Sequence, residues 1–179
     1  SGLVGSEMCI RDSMKTLGVG IVLMVALFFC LPYHLYMKQL WKKNPEKSWE
    51  KARKFVSGFF RFELKLSGCK VNVIGKENIP QDGPVLFVGN HRSYFDILLT
   101  YSRCRRLTGY VAKKEMEKIP LLSTWMKNLY CLFLDRDNMR EGLKTILQAI
   151  DYVKNGISIC IFPEGTRNNG EELSMLPFR

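Results

Sequence analysis

The sequence predicts an α/β protein, a mixed and largely parallel sheet flanked by helices, preceded by a membrane-associated helical segment. Three observations predict it. Apolar runs at 85–88, 130–134 and 157–162 each stop at a polar cluster. A helical stripe separates the second run from the third, and strand–helix–strand alternation favours parallel pairing. Near the amino terminus, residues 16–37 carry no formal charge and are followed by a dense basic stretch.

The bulk composition is compatible with this reading. The chain has 179 residues, 46% of them apolar, enough for one domain plus an accessory segment. Its 27 Lys and Arg against 17 Asp and Glu give a net charge of +10, which favours an anionic partner. The basic residues crowd beside a hydrophobic stretch rather than among exposed aromatics. That placement argues for lipid or a phosphorylated substrate and against nucleic acid. The six cysteines show neither metal-ligand spacing nor a disulfide framework, which fits a reducing compartment. With only His34 and His91 present, no histidine-built zinc site is expected.

In chain order, residues 1–13 look foreign to the rest of the chain and read as a leader or an added expression segment. The uncharged stretch 16–37 lies between Lys15 and Lys38. As one helix it would extend roughly 33 Å, against a hydrocarbon core of about 30 Å. Pro32, Tyr33 and His34 weaken its end, so a full span and a helix that enters and kinks back both stay open. No small-x-small cleavage site follows, which favours a retained anchor over a signal peptide. Lys38, Lys42, Lys43, Lys47, Lys51, Arg53 and Lys54 come next and place the following segment on the cytoplasmic side. Trp49, Ala52, Phe55, Val56, Phe59 and Phe60 then recur at helical spacing. They suit a helix on a membrane surface or one packed on the domain behind it. Residues 14–66 therefore form the membrane-associated part and 67–179 the α/β domain.

Within the domain, alternation at 71–74 reads as a strand and Gln81-Asp82-Gly83-Pro84 as a turn. Residues 85–88 read as a buried strand that stops at Gly89. Ser93 is placed to cap a helix continuing to Tyr101. Met139, Leu143, Ile146, Leu147, Ile150 and Val153 form the stripe of a helix over 139–154. Asn138 with Glu141 begins it and Gly156 stops it.

Each polar cluster follows the carboxyl end of a predicted strand, where open α/β sheets place their sites. His91 and Asp96 are five residues apart and would not face each other in one continuous helix. With His91 in the preceding turn and Asp96 in the first helical turn, the carboxylate can hold one ring nitrogen, leaving the other as general base. Ser93-x-x-Asp96 also matches a capping box, so a purely structural Asp96 stays open. Pro163-Glu164-Gly165-Thr166-Arg167 offers a permissive glycine, a hydroxyl and a guanidinium suited to phosphate, with Arg136 as a second fork. A surface turn with a solvated ion pair has the same composition.

Asn90-His91-Arg92-Ser93-Tyr94-Phe95-Asp96 resembles the NHxxxxD motif of glycerolipid acyltransferases. Phe133-Leu134-Asp135-Arg136 resembles that family's second block, and Phe162-Pro163-Glu164-Gly165-Thr166-Arg167 its third, in the same order. The similarity is greatest to 1-acylglycerol-3-phosphate acyltransferases. It implies that 67–179 is a catalytic domain in which His91, supported by Asp96, deprotonates the acceptor hydroxyl of a lysophospholipid. The donor would be acyl-CoA or acyl-carrier protein, with no further cofactor and no metal. It also implies that Arg136, Glu164, Gly165, Thr166 and Arg167 shape the acceptor pocket, and that the enzyme works at the membrane. The family's fourth block does not follow, so the resemblance implies a domain incomplete at its carboxyl end. A basic membrane-binding module that kept the fold, and a thioester hydrolase, are the competing readings.

Overall fold

The computed structural model describes residues 17–91 and 93–163. The uncharged stretch forms two helices, α1 (Leu17–Phe29) and α2 (Leu31–Lys43), bent by 68° at Cys30. Pro32 explains the break: it sits in the first turn of α2, where a missing N–H is tolerated, but cannot donate back into α1. Of the forms left open for 16–37 the described residues adopt a bent one, and its second helix runs on to Lys43. Among the described residues no single helix is long and apolar enough to cross a membrane. The bent pair together has the length and composition to do so.

Asn44 ends α2 and begins α3 (Pro45–Leu66), its side chain accepting the Lys47 N–H at 2.9 Å. One face of α3 is buried through Ala52, Ser57, Glu63 and Leu64, with Trp49, Val56 and Phe60 packed beside them. That face meets α2 and two domain helices, α4 (Phe95–Tyr101) and α5 (Leu122–Asn128). Of the two readings of 49–66, packing on the domain is the one its apolar face adopts. Arg53 and Arg61 reach across to the backbone carbonyls of Cys104 and Ser102 just beyond α4, where a helix end attracts positive charge.

Among the described residues four strands form the sheet: β1 (Leu86–Val88), β2 (Thr108–Lys113), β3 (Leu132–Leu134) and β4 (Ser158–Ile161). Their order is β1-β4-β2-β3 and every pairing is parallel. Leu86 aligns with Ile159, which in turn aligns with Gly109 of β2. α4 and α5 follow crossovers running one way across the sheet, and α6 (Met139–Lys154) returns the other way. Right-handed connections therefore put α6 on the opposite face. The core lies on the α3–α4 side, around Tyr101, Tyr110, Trp125, Leu129 and Cys160, with Phe87 and Phe162 against it.

Four expectations change. The strand read as buried over 85–88 is instead β1 at the end of the strand order, with Leu86 and Val88 exposed and only Phe87 turned to the core. Residues 71–74 form no strand, because no neighbour pairs with them, and Ile74 is 88% exposed. The central strand β2 was not anticipated, and neither was α5. The α6 stripe exists, yet Met139, Leu143, Ile146, Leu147 and Ile150 stay exposed. Gly142 and Thr145 face the sheet instead: Thr145 donates to the Phe133 carbonyl, and a Cβ on Gly142 would meet the Asp135 carbonyl at 3.0 Å.

Candidate active site

β1 ends at Val88, and the Gly89 N–H still donates to the Ile161 carbonyl of β4 at 3.2 Å. The chain then turns away from the sheet, so His91 falls on the carboxyl rim between β1 and α4. Asp96 lies in the first turn of α4. His91 Nδ1 is 2.9 Å from Asp96 Oδ2, with both side chains about four-fifths buried (17% and 22% exposed).

The same Asp96 Oδ2 also accepts the Ser93 N–H at 2.9 Å, while the Ser93 hydroxyl accepts the Phe95 N–H at 3.3 Å. Helix capping and support of the imidazole, which looked like alternatives in the sequence, are two contacts of one oxygen. The cap pins the carboxylate, and the pinned carboxylate orients the ring. With Nδ1–H donating to Asp96, Nε2 carries the lone pair that can take a proton.

The His91 ring is flanked by Phe162, with centroids 4.6 Å apart and planes inclined by 19°. Phe162 leaves β4 on the strand beside β1, so the third motif begins next to the first. Glu164, Gly165, Thr166 and Arg167 lie outside the described residues. Arg136 follows β3 and is exposed. It shares the carboxyl rim with His91, but β3 and β1 are the two outer strands. Three strand spacings, roughly 14 Å, separate them. The structure thus brings His91, Asp96 and Phe162 together and leaves Arg136 farther along the same rim.

Among the described residues no activated thiol lies in the core beneath the site. Burial pushes Cys160 up to about 12 and Cys131 up to about 11, so neither is a thiolate at neutral pH. The open cleft of about 540 Å3 lined by Asn44, Lys47, Trp49, Leu107 and Tyr130 lies where β2 and β3 begin, at the far end of the strands from His91.

His91 and Asp96 thus meet on the carboxyl rim of a parallel sheet. Residues 70–179 match the family model described as Acyltransferase. This chain belongs to that acyltransferase family. A probable 1-acyl-sn-glycerol-3-phosphate acyltransferase of Mycoplasma pneumoniae is 35% identical over 127 residues, 69% of this chain and 46% of that protein. The 1-acyl-sn-glycerol-3-phosphate acyltransferase of Saccharomyces cerevisiae is 33% identical over 122 residues, 68% of this chain and 40% of that one. The crystal structure of the 1-acyl-sn-glycerophosphate (LPA) acyltransferase PlsC from Thermotoga maritima superposes with a TM-score of 0.74 at 28% identity. That match covers 95% of this chain and 66% of the other. The chain spans about half the length, or somewhat less, of the first two relatives.

Phe162 is the neighbour that sequence reasoning left without a role. The last residue of a buried run looks like core, and only the pairing of β1 with β4 turns its ring toward His91.

Proposed function

We propose that this chain carries the catalytic dyad of an enzyme that makes phosphatidic acid. It would transfer a fatty acyl group from acyl-CoA or acyl-carrier protein to the free hydroxyl of 1-acylglycerol 3-phosphate. The observation that carries the proposal is the 2.9 Å contact between His91 Nδ1 and Asp96 Oδ2 at the strand carboxyl ends. The names of the relatives support the choice of acceptor.

His91 Nε2 takes the proton of the acceptor hydroxyl as its oxygen attacks the thioester carbonyl. Asp96 stabilises the imidazolium that forms. Collapse of the tetrahedral intermediate breaks the carbon–sulfur bond, and the leaving thiolate takes the proton back from Nε2. The acceptor ester and a free thiol result, with no acyl-enzyme and no metal or further cofactor in the sequence of steps. A positioned general base contributes about 10²–10⁴ in rate, and alignment of two bound substrates must supply much of the remainder. In this reading Arg136 and Arg167, with Glu164, Gly165 and Thr166, form the acceptor's phosphate site. Catalysis takes place on the cytoplasmic face of a membrane to which α1 and α2 attach the enzyme.

The test is a lipid-product assay on the full-length protein with labelled acyl thioester and several acceptors offered separately. The expected result is phosphatidic acid that depends on 1-acylglycerol 3-phosphate, lost in His91→Ala while vesicle binding persists. Undiminished transfer by His91→Ala would refute the mechanism. Free fatty acid without lipid product would point to a hydrolase, and binding without turnover to a non-catalytic module.

A further inference from the structure

We infer that Phe162 is a positioning residue for His91, setting the plane of the imidazole and stabilising its protonated form. The inference rests on the transferase reading of the dyad. Among the described residues one hydrogen bond, from Nδ1 to Asp96, holds the ring, and it leaves the ring free to rock about that contact. A second constraint is needed to aim Nε2 at a substrate. The near-parallel ring at 4.6 Å and 19° is that constraint, since an aromatic face resists tilt of its stacked neighbour. An imidazolium over the same face gains attraction that a neutral imidazole lacks, so the contact strengthens when His91 holds the proton.

Phe162 is itself held from several sides. Below it lies Gly89, whose missing Cβ would meet Phe162 Cε1 at 3.4 Å, and whose N–H ties the ends of β1 and β4 together. Tyr110 of β2 lies beside it, with centroids 6.4 Å apart. The Tyr110 hydroxyl donates to Thr100 Oγ1 at 2.8 Å, and Thr100 Oγ1 donates to the Asp96 carbonyl at 2.6 Å. Both partners of His91 are therefore anchored through one connected set: Phe162 through Tyr110, and Asp96 through Thr100. The aromatic contacts continue from Tyr110 to Tyr101 at 5.7 Å and on to Phe60 of α3 at 5.9 Å. A ring in that column that served only as core filling would lose stability on replacement by leucine but leave kcat unchanged. A ring that positions the base requires an aromatic face.

The experiment compares Phe162→Leu with Phe162→Tyr in the full-length protein, using steady-state kinetics and proton NMR of the histidine rings. Comparison with His91→Gln assigns the His91 signals, and His34, the other histidine of this stretch, serves as internal control for folding. Phe162→Leu is expected to lower kcat about tenfold, the value of one stacked aromatic contact. KM for both substrates should stay unchanged, and the His91 ring protons should move downfield as the ring current is lost. Phe162→Tyr should restore both. A Phe162→Leu enzyme with unchanged kcat overturns the inference, and so do leucine and tyrosine variants that are equally impaired. A protein that shows the ring-current shift yet transfers no acyl group from any donor would instead bring down the proposed function, and the positioning role with it.

Discussion

At the residue scale, one oxygen atom makes two contacts that can be separated by substitution. Asp96 Oδ2 accepts from Ser93 N–H and from His91 Nδ1. An asparagine oxygen can keep the first contact but offers no negative charge to an imidazolium. Asp96→Asn is expected to retain its melting temperature while kcat falls at least about 10²-fold. Asp96→Ala should lose the cap as well, at about 1 kcal/mol of stability. Thermal unfolding alongside kinetics separates the two effects, and equal stability of both variants would deny the capping contact. Glu63 supplies a second prediction at this scale. It is 1% exposed on the inner face of α3, and burial pushes its carboxyl from 4.5 up to about 7. The folded chain then binds the proton more tightly than the unfolded chain. Stability is lost as pH rises from about 4.5 to about 7 and stays level above that. Glu63→Gln removes this dependence. Its gain over the unsubstituted protein should grow across that window, by up to about 3 kcal/mol at pH 8. A gain equal at pH 4.5 and pH 8 would contradict a buried neutral acid.

At the scale of elements, β2 and β3 depend on one close approach. Tyr130 has a positive φ of 59°, which turns its carbonyl against Gly109 of β2. A Cβ at Gly109 would stand 2.1 Å from that oxygen, far inside contact distance, and the obstacle is backbone rather than a flexible side chain. Gly109→Ala is accordingly expected to cost about 3 kcal/mol or more, or to abolish soluble expression. A melting temperature within a degree of the unsubstituted protein would show that the turn can yield. The same strand marks the limit of what the sequence revealed. α6 was legible to its ends because its signals are local: Asn138 Oδ1 accepts the Glu141 N–H, and Gly156 takes a positive φ of 84° to stop the helix. The turn holding His91 and Asp96 was legible for the same reason. β2 was hidden because Gly109 stands where a strand pattern expects an apolar branch, and its need for a glycine arises from Tyr130, a residue distant in sequence. The alternation at 71–74 misled in the opposite direction, since a strand needs a partner as well as a pattern. Which face of α6 meets the sheet was also illegible. The small residues Gly142 and Thr145 win the contact by allowing close approach, and the larger apolar residues lie to the side.

On the scale of the whole molecule, the proposed membrane contact would combine two forces through α1 and α2. α1 exposes Leu17, Ile21, Met24, Val25, Phe28 and Phe29, and α2 exposes Leu31 and Leu35. Exposed Lys38, Lys42 and Lys43 close α2, and the chain as a whole carries a net charge of +10. Apolar insertion does not distinguish one bilayer from another by charge, whereas lysine attraction does. Each basic residue near an anionic surface contributes about 1 kcal/mol, so replacing all three lysines with glutamine should weaken binding to anionic vesicles about 100-fold. Binding to zwitterionic vesicles should barely change, and raising salt to about 1 M, where screening acts within about 3 Å, should erase most of the difference between the two proteins. Replacing Phe28 and Phe29 with serine removes apolar surface, so it should weaken binding to both vesicle types and do so at every salt concentration. Flotation of the protein with vesicles measures all of these. If the lysine variant bound anionic vesicles as well as the unsubstituted protein, electrostatic attachment at α2 would be refuted. If the serine variant also bound unchanged, the bent helix pair would not be the membrane contact. His91→Ala should match the unsubstituted protein in every vesicle condition, because the dyad sits on the sheet's rim and takes no part in either force.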